Sequence, residues 1–439
     1  VIFKAYDIRG IYPSEINDEI MEKIGKAFAD FIPGNKIAVG YDMRISSPAL
    51  FSAFAKGVIS QGKDVIDFGL TSTPMSYFAC NYLKADGCAM ITASHNPKEY
   101  NGVKLSREKA IPVSGDTGIK EIEEKVKNND FKESSVQGKI IKKDVMVAYK
   151  KHLLSFVKDI KNLRVVVDCS NGMGSQDFSL IQKELNIEVI PLYFEIDGTF
   201  PGHDPNPWKE GAIDKLKETV VKENADLGIV FDGDADRVFF IDDNGELLSN
   251  DYITALIAEE MIKHNKGAMI LYDLRSSWVV PETIEHVGGK YKMCRVGHSF
   301  IKESMREEDS IFAGELSGHF YFKDNFFTDS GILAAIWILN YVSSKGNKLS
   351  ELVKPLKRYF ASGEINSKVV DSKGKMDELA EKYKDGKVSF LDGVKIDFDD
   401  WWFNVRASNT EPLLRLNLEA KTKELMEEKR DEVLNMIRN

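Results

Sequence analysis

Val166-Val167-Asp168-Cys169-Ser170-Asn171 is an apolar run that ends in an aspartate and a polar turn. The same pattern stands at Val39-Gly40-Tyr41-Asp42-Met43-Arg44 and at Leu271-Tyr272-Asp273-Leu274-Arg275-Ser276. Three such strand ends, unequally spaced, are too irregular for a solenoid and suit three similar α/β domains in series. Around them, short Val/Ile/Phe runs alternate with stretches of helical period, the pattern of α/β layering. In the first helix, Asn17 is the expected cap, Ile20, Ile24, Phe28 and Phe31 recur at three- and four-residue steps, and Pro33-Gly34 closes the run before a strand from Lys36 to Tyr41.

Toward the C-terminus the strands shorten, with runs from Val388 to Leu391, Val394 to Phe398 and Leu413 to Leu418. A closing helix follows, with Thr422 as cap and Leu425, Met426, Val433 and Ile437 on its apolar side. This tail reads as a smaller α+β domain. Charged stretches from Lys139 to Asp144 and from Asp371 to Asp377 read as linkers. The expected domains are 1–146, 147–248, 249–358 and 359–439.

The chain has 439 residues, enough for roughly three domains of about 150 residues. Hydrophobic residues at 43% and charged residues at 29% describe an ordinary globular protein, not a disordered or collagen-like one. A net charge of −10 offers no field to attract nucleic acid or an anionic membrane, so an anionic ligand needs local cationic clusters. The longest uncharged apolar stretch, around Gly331 to Val342, falls short of the ~20 residues of a membrane span and reads as a buried helix. Cys80, Cys88, Cys169 and Cys294 form no C-x-x-C pair, which argues against a zinc site or disulfide framework. With no leader-like run at the start, a cytoplasmic location is expected.

Asp232-Gly233-Asp234-Ala235-Asp236-Arg237 follows the apolar run Leu227 to Phe231, at a strand's carboxyl end, where ligands gather in open α/β sheets. Three alternate carboxylates in a tight loop can converge on one hard cation, with magnesium the default, and small Gly233 and Ala235 let the backbone wrap closely. A calcium EF-hand loop is excluded, because its sixth and twelfth positions here are Arg237 and Asp243. Thr92-Ala93-Ser94-His95-Asn96-Pro97 follows another strand, from Cys88 to Ile91. Ser94 there is a candidate nucleophile or phosphate carrier, and equally a residue of a polar turn. His95 is not expected to pair with it, since adjacent side chains on a loop rarely face each other. Lys104 is a candidate acid/base if nearby cations lower its pKa, or an ordinary surface lysine.

Gly314-Glu315-Leu316-Ser317-Gly318-His319 offers donors and acceptors suited to sugar hydroxyls, and Gly297-His298-Ser299 is similar. Arg406-Ala407-Ser408-Asn409-Thr410-Glu411-Pro412, after the aromatic strand Trp401 to Val405, reads as an anion clamp or a polar β-turn.

Together with Lys4-Ala5-Tyr6-Asp7-Ile8-Arg9-Gly10, these motifs in this order resemble the α-D-phosphohexomutase family, most closely its bifunctional phosphomannomutase/phosphoglucomutase branch, over nearly the whole chain. The resemblance implies four domains around a central active-site cleft, three related mixed α/β domains and a smaller α+β C-terminal one. It implies that Ser94 is the phosphoserine, with Asp232, Asp234 and Asp236 holding Mg2+ and the seryl phosphate as a further ligand. Arg9, Lys104 and Arg237 would flank the transferring phosphate, with His95 in the catalytic set. Glu315 and Ser317 would bind sugar hydroxyls, His298 and His319 would line the cleft, and Arg406, Ser408, Asn409 and Thr410 would hold the non-reacting phosphate. Tyr6 and Arg275 are further substrate-binding candidates.

The implied activity interconverts hexose 1-phosphates and 6-phosphates through a hexose 1,6-bisphosphate. Partners would be small-molecule hexose phosphates, with no nucleic acid or membrane, and the chain a monomer or homodimer. Two alternatives stay open. Phosphoglucosamine mutases usually carry Gln at the position of Leu316, and a haloacid-dehalogenase-type phosphatase would place its D-x-D-x-[T/V] loop at Asp232 and Asp234 with an aspartate as nucleophile and Ser94 dispensable, although Asp236 departs from that loop. A non-enzymatic sugar-phosphate binder is the remaining class.

Overall fold

The computed structural model describes residues 2–132, 134–408 and 413–439. It divides into two compact units, one of residues 1–248 and 317–352, the other of residues 249–316 and 353–439.

The first unit opens as the sequence predicts. Asn17 Oδ1 accepts the amide of Ile20 at 3.0 Å and starts the helix Asp18–Phe31, which leads into the strand Lys36–Tyr41. That helix packs against Ser47–Ser60 through paired glycines: a Cβ on Gly25 would lie 2.3 Å from the Phe54 carbonyl oxygen, and one on Gly57 2.1 Å from that of Glu22. No side chain fits at either crossing point. A six-stranded mixed sheet stands beside them, around a core that includes Ile24, Phe28, Ile37, Val39 and Phe54. Its strand Gly87–Ile91 is buried throughout and pairs antiparallel with Tyr100–Arg107. The charged stretch expected to be a linker is part of this sheet: Ile140–Lys142 pairs parallel with Asp64–Leu70 as an exposed edge strand, where lysines suit a solvent-facing edge.

A four-stranded sheet follows, built on Leu163–Asp168 and Leu227–Phe231 in parallel. The helix Gly331–Lys345 is capped by Ser330 and buried along most of its length, as its unbroken apolar run predicts.

In the second unit, Met269–Asp273 pairs in parallel with Lys290–Cys294 and Phe312–Gly314. An antiparallel sheet carries the C-terminal core of Phe403, Val405, Leu416, Val433 and Ile437. Thr422 caps the closing helix Lys423–Arg438 through the amide of Leu425. Here too a supposed linker is structural: Asp371 caps the helix Ser372–Lys382, which buries Leu379. The strand expected from Val388 ends early, as Lys387–Ser389, leaving Phe390 exposed. All four cysteines are buried thiols, and no helix among the described residues is long and apolar enough to cross a membrane.

The three repeated aspartates share one local job. Asp42 Oδ1 accepts the amide of Arg44 at 3.0 Å, Asp168 Oδ1 that of Ser170 at 2.8 Å, and Asp273 Oδ1 that of Arg275 at 2.7 Å. Each is an Asx turn that folds the loop back off its strand, so the repeat records a repeated strand-to-loop geometry.

Buried Asp177 accepts hydrogen bonds from Ser72 Oγ at 2.7 Å and Tyr149 Oη at 3.2 Å. Burial raises its pKa to about 7, and burial with Glu419 and Asp273 nearby raises that of Asp251 in the second unit to about 7. A folded pKa above the unfolded one means that the native state holds the proton more tightly, so this stability is complete in acid and is lost as pH rises through 7. We expect the melting temperature to fall between pH 5 and pH 8, and Asp177→Asn to flatten that slope. Melts of the two proteins across this range decide it; an equal slope in the variant shows that Asp177 does not titrate there.

Candidate active site

In the first unit, Thr92 follows the buried strand Gly87–Ile91, and its Oγ1 accepts the Ser94 amide at 2.8 Å. The turn leaves Ser94 with φ of 52°, left-handed backbone that costs a residue bearing a Cβ about 1 kcal/mol or more and is held only by its surroundings. Arg44 supplies much of that hold. Its Nη2 donates to the carbonyls of Ser94 at 2.7 Å and Asn96 at 2.6 Å, and its Nη1 to those of Pro97 at 2.8 Å and Tyr100 at 3.0 Å. Arg9, on the strand Ile8–Ile11, adds Nη1 bonds to Ala93 O at 3.1 Å and Asn96 Oδ1 at 2.7 Å, while its Nη2 pairs with Asp7 at 2.6 Å. Nothing in the sequence pattern distinguished Arg44 as a site residue.

The loop presents Ser94 Oγ 3.2 Å from Asp232 Oδ2 and 3.1 Å from His95 Nδ1. Ser94 and His95 therefore do meet, contrary to the expectation for neighbours on a loop, because the left-handed turn brings successive side chains to one side. Burial first, then the charges of Arg237, Arg9 and Lys104, hold the His95 pKa well below the usual histidine range. His95 is thus a neutral hydrogen-bond partner for Oγ, and no base strong enough to ionise it.

Asp232, Asp234 and Asp236 are buried, with one oxygen of each within 4.8 Å of the others. Close approach makes the loop possible: a Cβ on Gly233 would lie 2.6 Å from the Ser94 carbonyl oxygen, and Ala235 has φ of 63°. Thr73, at the start of the helix Thr73–Tyr82, donates its Oγ1 to Asp234 Oδ2 at 2.5 Å and its amide to Asp234 O at 3.0 Å. It is a second anchor that the sequence did not reveal. Burial, then Asp236 and Asp234, push the Asp232 pKa well above the carboxylate range, as expected of carboxylates that cannot all ionise side by side. Asp234 Oδ1 is buried without a hydrogen-bond partner among the described residues. A hard, all-oxygen, anionic donor set with an unsatisfied oxygen fits a divalent cation such as magnesium.

Lys104 lies opposite Met90 in the antiparallel pair and bonds Asp234 at 2.7 Å and, more closely, Asp236. Burial pulls its pKa down, but Asp234 and Asp236 outweigh that and raise it. The condition set for an acid/base role, a lowered pKa, is therefore not met, and buried Lys104 is no ordinary surface lysine either: two carboxylates hold it as a cation. Arg237 donates its amide to Asp232 Oδ1 at 3.1 Å and its Nε to His319 Nε2 at 3.3 Å. His319 Nε2 is 3.4 Å from Asp236 Oδ1 and its Nδ1 3.0 Å from Ser317 Oγ. Ser94, His95, Lys104, Arg9, Arg237, the three aspartates, Ser317 and His319 thus form one cluster, while half-buried Tyr6 lies upstream of Arg9.

The second unit holds a separate set. Arg275 grips Asp273 with Nε at 3.1 Å and Nη2 at 2.9 Å, and reaches Glu315 at 3.3 Å. Arg406 Nη2 bonds Glu364 at 3.1 Å, as does Arg415 Nη1 at 3.1 Å, and Arg415 Nη2 lies 3.4 Å from Ser408 Oγ. Glu364 and Arg415 escaped the sequence reading. His298 begins the helix His298–Glu307. Asn409 and Thr410 lie outside the described residues.

Comparison with known proteins places family models end to end along the chain. Those of phosphoglucomutase/phosphomannomutase match as α/β/α domain I over residues 1–133, domain II over 147–245, domain III over 249–359 and the C-terminal domain over 364–436. A phosphomannomutase of Vibrio cholerae is 40% identical over 453 residues, covering 99% of this chain and 98% of that protein. One of Methanocaldococcus jannaschii is 41% identical over 440 residues, covering 100% and 97%. The crystal structure of a phosphoglucomutase/phosphomannomutase family protein from Burkholderia thailandensis matches with a TM-score of 0.92 at 30% identity, covering 99% of this chain and 96% of that one.

Proposed function

The chain belongs to the phosphoglucomutase/phosphomannomutase family, the α-D-phosphohexomutases, and from that premise we propose how its residues carry the reaction. It is a four-domain α/β isomerase that interconverts hexose 1-phosphate and hexose 6-phosphate. In the proposed route, phosphoSer94 donates its phosphoryl group to the free hydroxyl of a hexose monophosphate: the Oγ–P bond breaks, a sugar O–P bond forms, and a hexose 1,6-bisphosphate results. The bisphosphate turns over and returns its other phosphoryl group to Ser94 Oγ. The observation that carries this proposal is Ser94 Oγ held 3.2 Å from Asp232 within a cluster of buried carboxylates and fixed cations.

Phosphoryl transfer needs positioning and charge neutralisation more than covalent chemistry. Arg9, Lys104 and Arg237 supply positive charge beside the reacting oxygens. Magnesium, when held by Asp232, Asp234, Asp236 and the seryl phosphate, supplies further neutralisation of the phosphoryl oxygens. The proton of the attacking hydroxyl passes to His319 Nε2 once Arg237 Nε turns from that nitrogen to the phosphoryl oxygens, and Asp236, 3.4 Å away, would stabilise the imidazolium. His95 orients Oγ. Glu315 and Ser317 bind sugar hydroxyls in both orientations of the intermediate, and Arg406 with Ser408 holds the phosphate not being transferred.

Glucose and mannose are the proposed substrates, since Leu316 replaces the Gln usual in amino-sugar relatives. The test is magnesium-dependent turnover of glucose 1-phosphate, mannose 1-phosphate and glucosamine 1-phosphate with catalytic hexose 1,6-bisphosphate, following free phosphate alongside. The first two sugars should isomerise with little phosphate release. Stoichiometric release would make the protein a phosphatase, and preference for glucosamine 1-phosphate would overturn the substrate assignment.

Arg406→Ala removes a charge-assisted donor from the phosphate clamp, a loss of about 1.5–3 kcal/mol. We expect KM for both hexose phosphates to rise about tenfold or more, with a smaller loss of melting temperature than removal of a lone buried partner would cause, since Glu364 keeps Arg415 and Arg275. An unchanged KM would remove Arg406 from the clamp.

A further inference from the structure

In the antiparallel ladder between Trp401–Ala407 and Leu413–Ala420, Arg406 stands directly opposite Arg415. Like charges so placed destabilise a sheet unless something neutralises them. Glu364 does so, with Oε2 3.1 Å from Arg406 Nη2 and Oε1 3.1 Å from Arg415 Nη1, and with Arg275 Nη1 3.5 Å from Oε2. Arg275 has its own carboxylate in Asp273. Among the described residues, Arg406 and Arg415 each keep a buried Nε without a hydrogen-bond partner, so these guanidiniums offer more donors than one carboxylate uses. Burial alone would raise the Glu364 pKa, but the three arginines outweigh it and lower it, which keeps the carboxylate charged.

We propose that Glu364 is an internal stand-in for phosphate: its carboxylate occupies the arginine cluster in the resting enzyme, yields it to the non-reacting phosphate of the substrate, and returns to displace that phosphate when the bisphosphate must let go. The inference rests on the clamp assignment made above for Arg406. Its physical content is competition between anions for the same donors. A phosphate dianion brings more charge and one more acceptor oxygen than the carboxylate; removing the carboxylate costs part of that gain. Glu364 is 26% exposed, so its side chain has solvent to swing into. The clamp is thereby kept weaker than three arginines would make it, which suits a site that must release the intermediate within every turnover.

The test uses the full chain. Binding of inorganic phosphate is measured calorimetrically for wild type, Glu364→Gln, Arg406→Ala and the double variant, with KM and kcat for glucose 1-phosphate and a melting curve for each. Glu364→Gln removes the competing charge and retains the shape. It should bind inorganic phosphate at least fivefold more tightly than wild type, with lower KM and lower kcat, since tighter holding slows release. Binding no tighter than wild type, together with a loss in Arg406→Ala, would leave the clamp standing and overturn the displacement role. If Arg406→Ala leaves phosphate binding unchanged in both backgrounds, the clamp assignment itself falls and this inference with it.

Discussion

Ser94→Ala is expected to lower turnover of hexose phosphates by more than about 10⁴-fold, the scale seen when a covalent nucleophile is removed. The fold should survive. Alanine and serine both carry a Cβ, so the left-handed backbone at φ of 52° costs the two residues the same. Among the described residues, the lost hydroxyl is bonded through Oγ to His95 and Asp232 alone. The loop itself hangs on backbone carbonyls held by Arg44 and Arg9, which the substitution leaves in place. Wild type incubated with glucose 1,6-bisphosphate should gain the mass of one phosphoryl group at Ser94, and the variant none. Retention of a tenth of wild-type activity, or phosphoryl labelling at another residue, would remove Ser94 from the relay.

The parts of the site that were legible in the sequence lie at the carboxyl ends of strands. Leu227–Phe231 is buried and apolar, and the change to alternating carboxylates at Asp232 is abrupt, so element and loop announce each other. The recurring strand-end aspartates were visible for a similar reason: an Asx turn needs a particular side chain at a particular backbone position. Composition misled where backbone pairing decides. Ile140–Lys142 is exposed at every residue and pairs with its sheet as an edge strand, so Lys139, Lys142 and Lys143 gave the stretch the look of a linker.

Partners brought together by tertiary structure were the other blind spot. Arg415 reads as an outward position of an alternating strand, and Glu364 as a polar residue after Gly363. Only the ladder that sets Arg406 opposite Arg415, and Asn366 opposite Arg415 on the other side, shows why a carboxylate is needed there. The charge state of Lys104 was hidden for the same reason. It depends on Asp234 and Asp236, which are 130 and 132 residues away in sequence.

Arg44 gives the second large expected effect. Its guanidinium is fully buried, pairs with Asp42 at 3.3 Å, lies 5.2 Å from the ring centre of Phe200 and donates to four carbonyls of the Ser94 loop. Removing one partner of a buried ion pair costs about 3–5 kcal/mol, because the remaining charge stays buried and uncompensated. Arg44→Ala does this to Asp42 and also strips donors from the carbonyls of Ser94, Asn96, Pro97 and Tyr100, so it should unfold at markedly lower temperature. Arg44→Lys separates positioning from folding. An ammonium keeps the charge for Asp42, but it cannot reproduce the planar fork that spans residues 94 to 100. The lysine variant should fold, with kcat down by about 10²-fold as misplacement of a reacting group predicts, KM changed little, and slower gain of phosphate on Ser94 from glucose 1,6-bisphosphate. A lysine variant with wild-type kcat and labelling rate would reduce Arg44 to a structural residue. The geometry argues against that outcome, because the shortest bonds of this guanidinium reach the carbonyls of Ser94 and Asn96, on either side of His95.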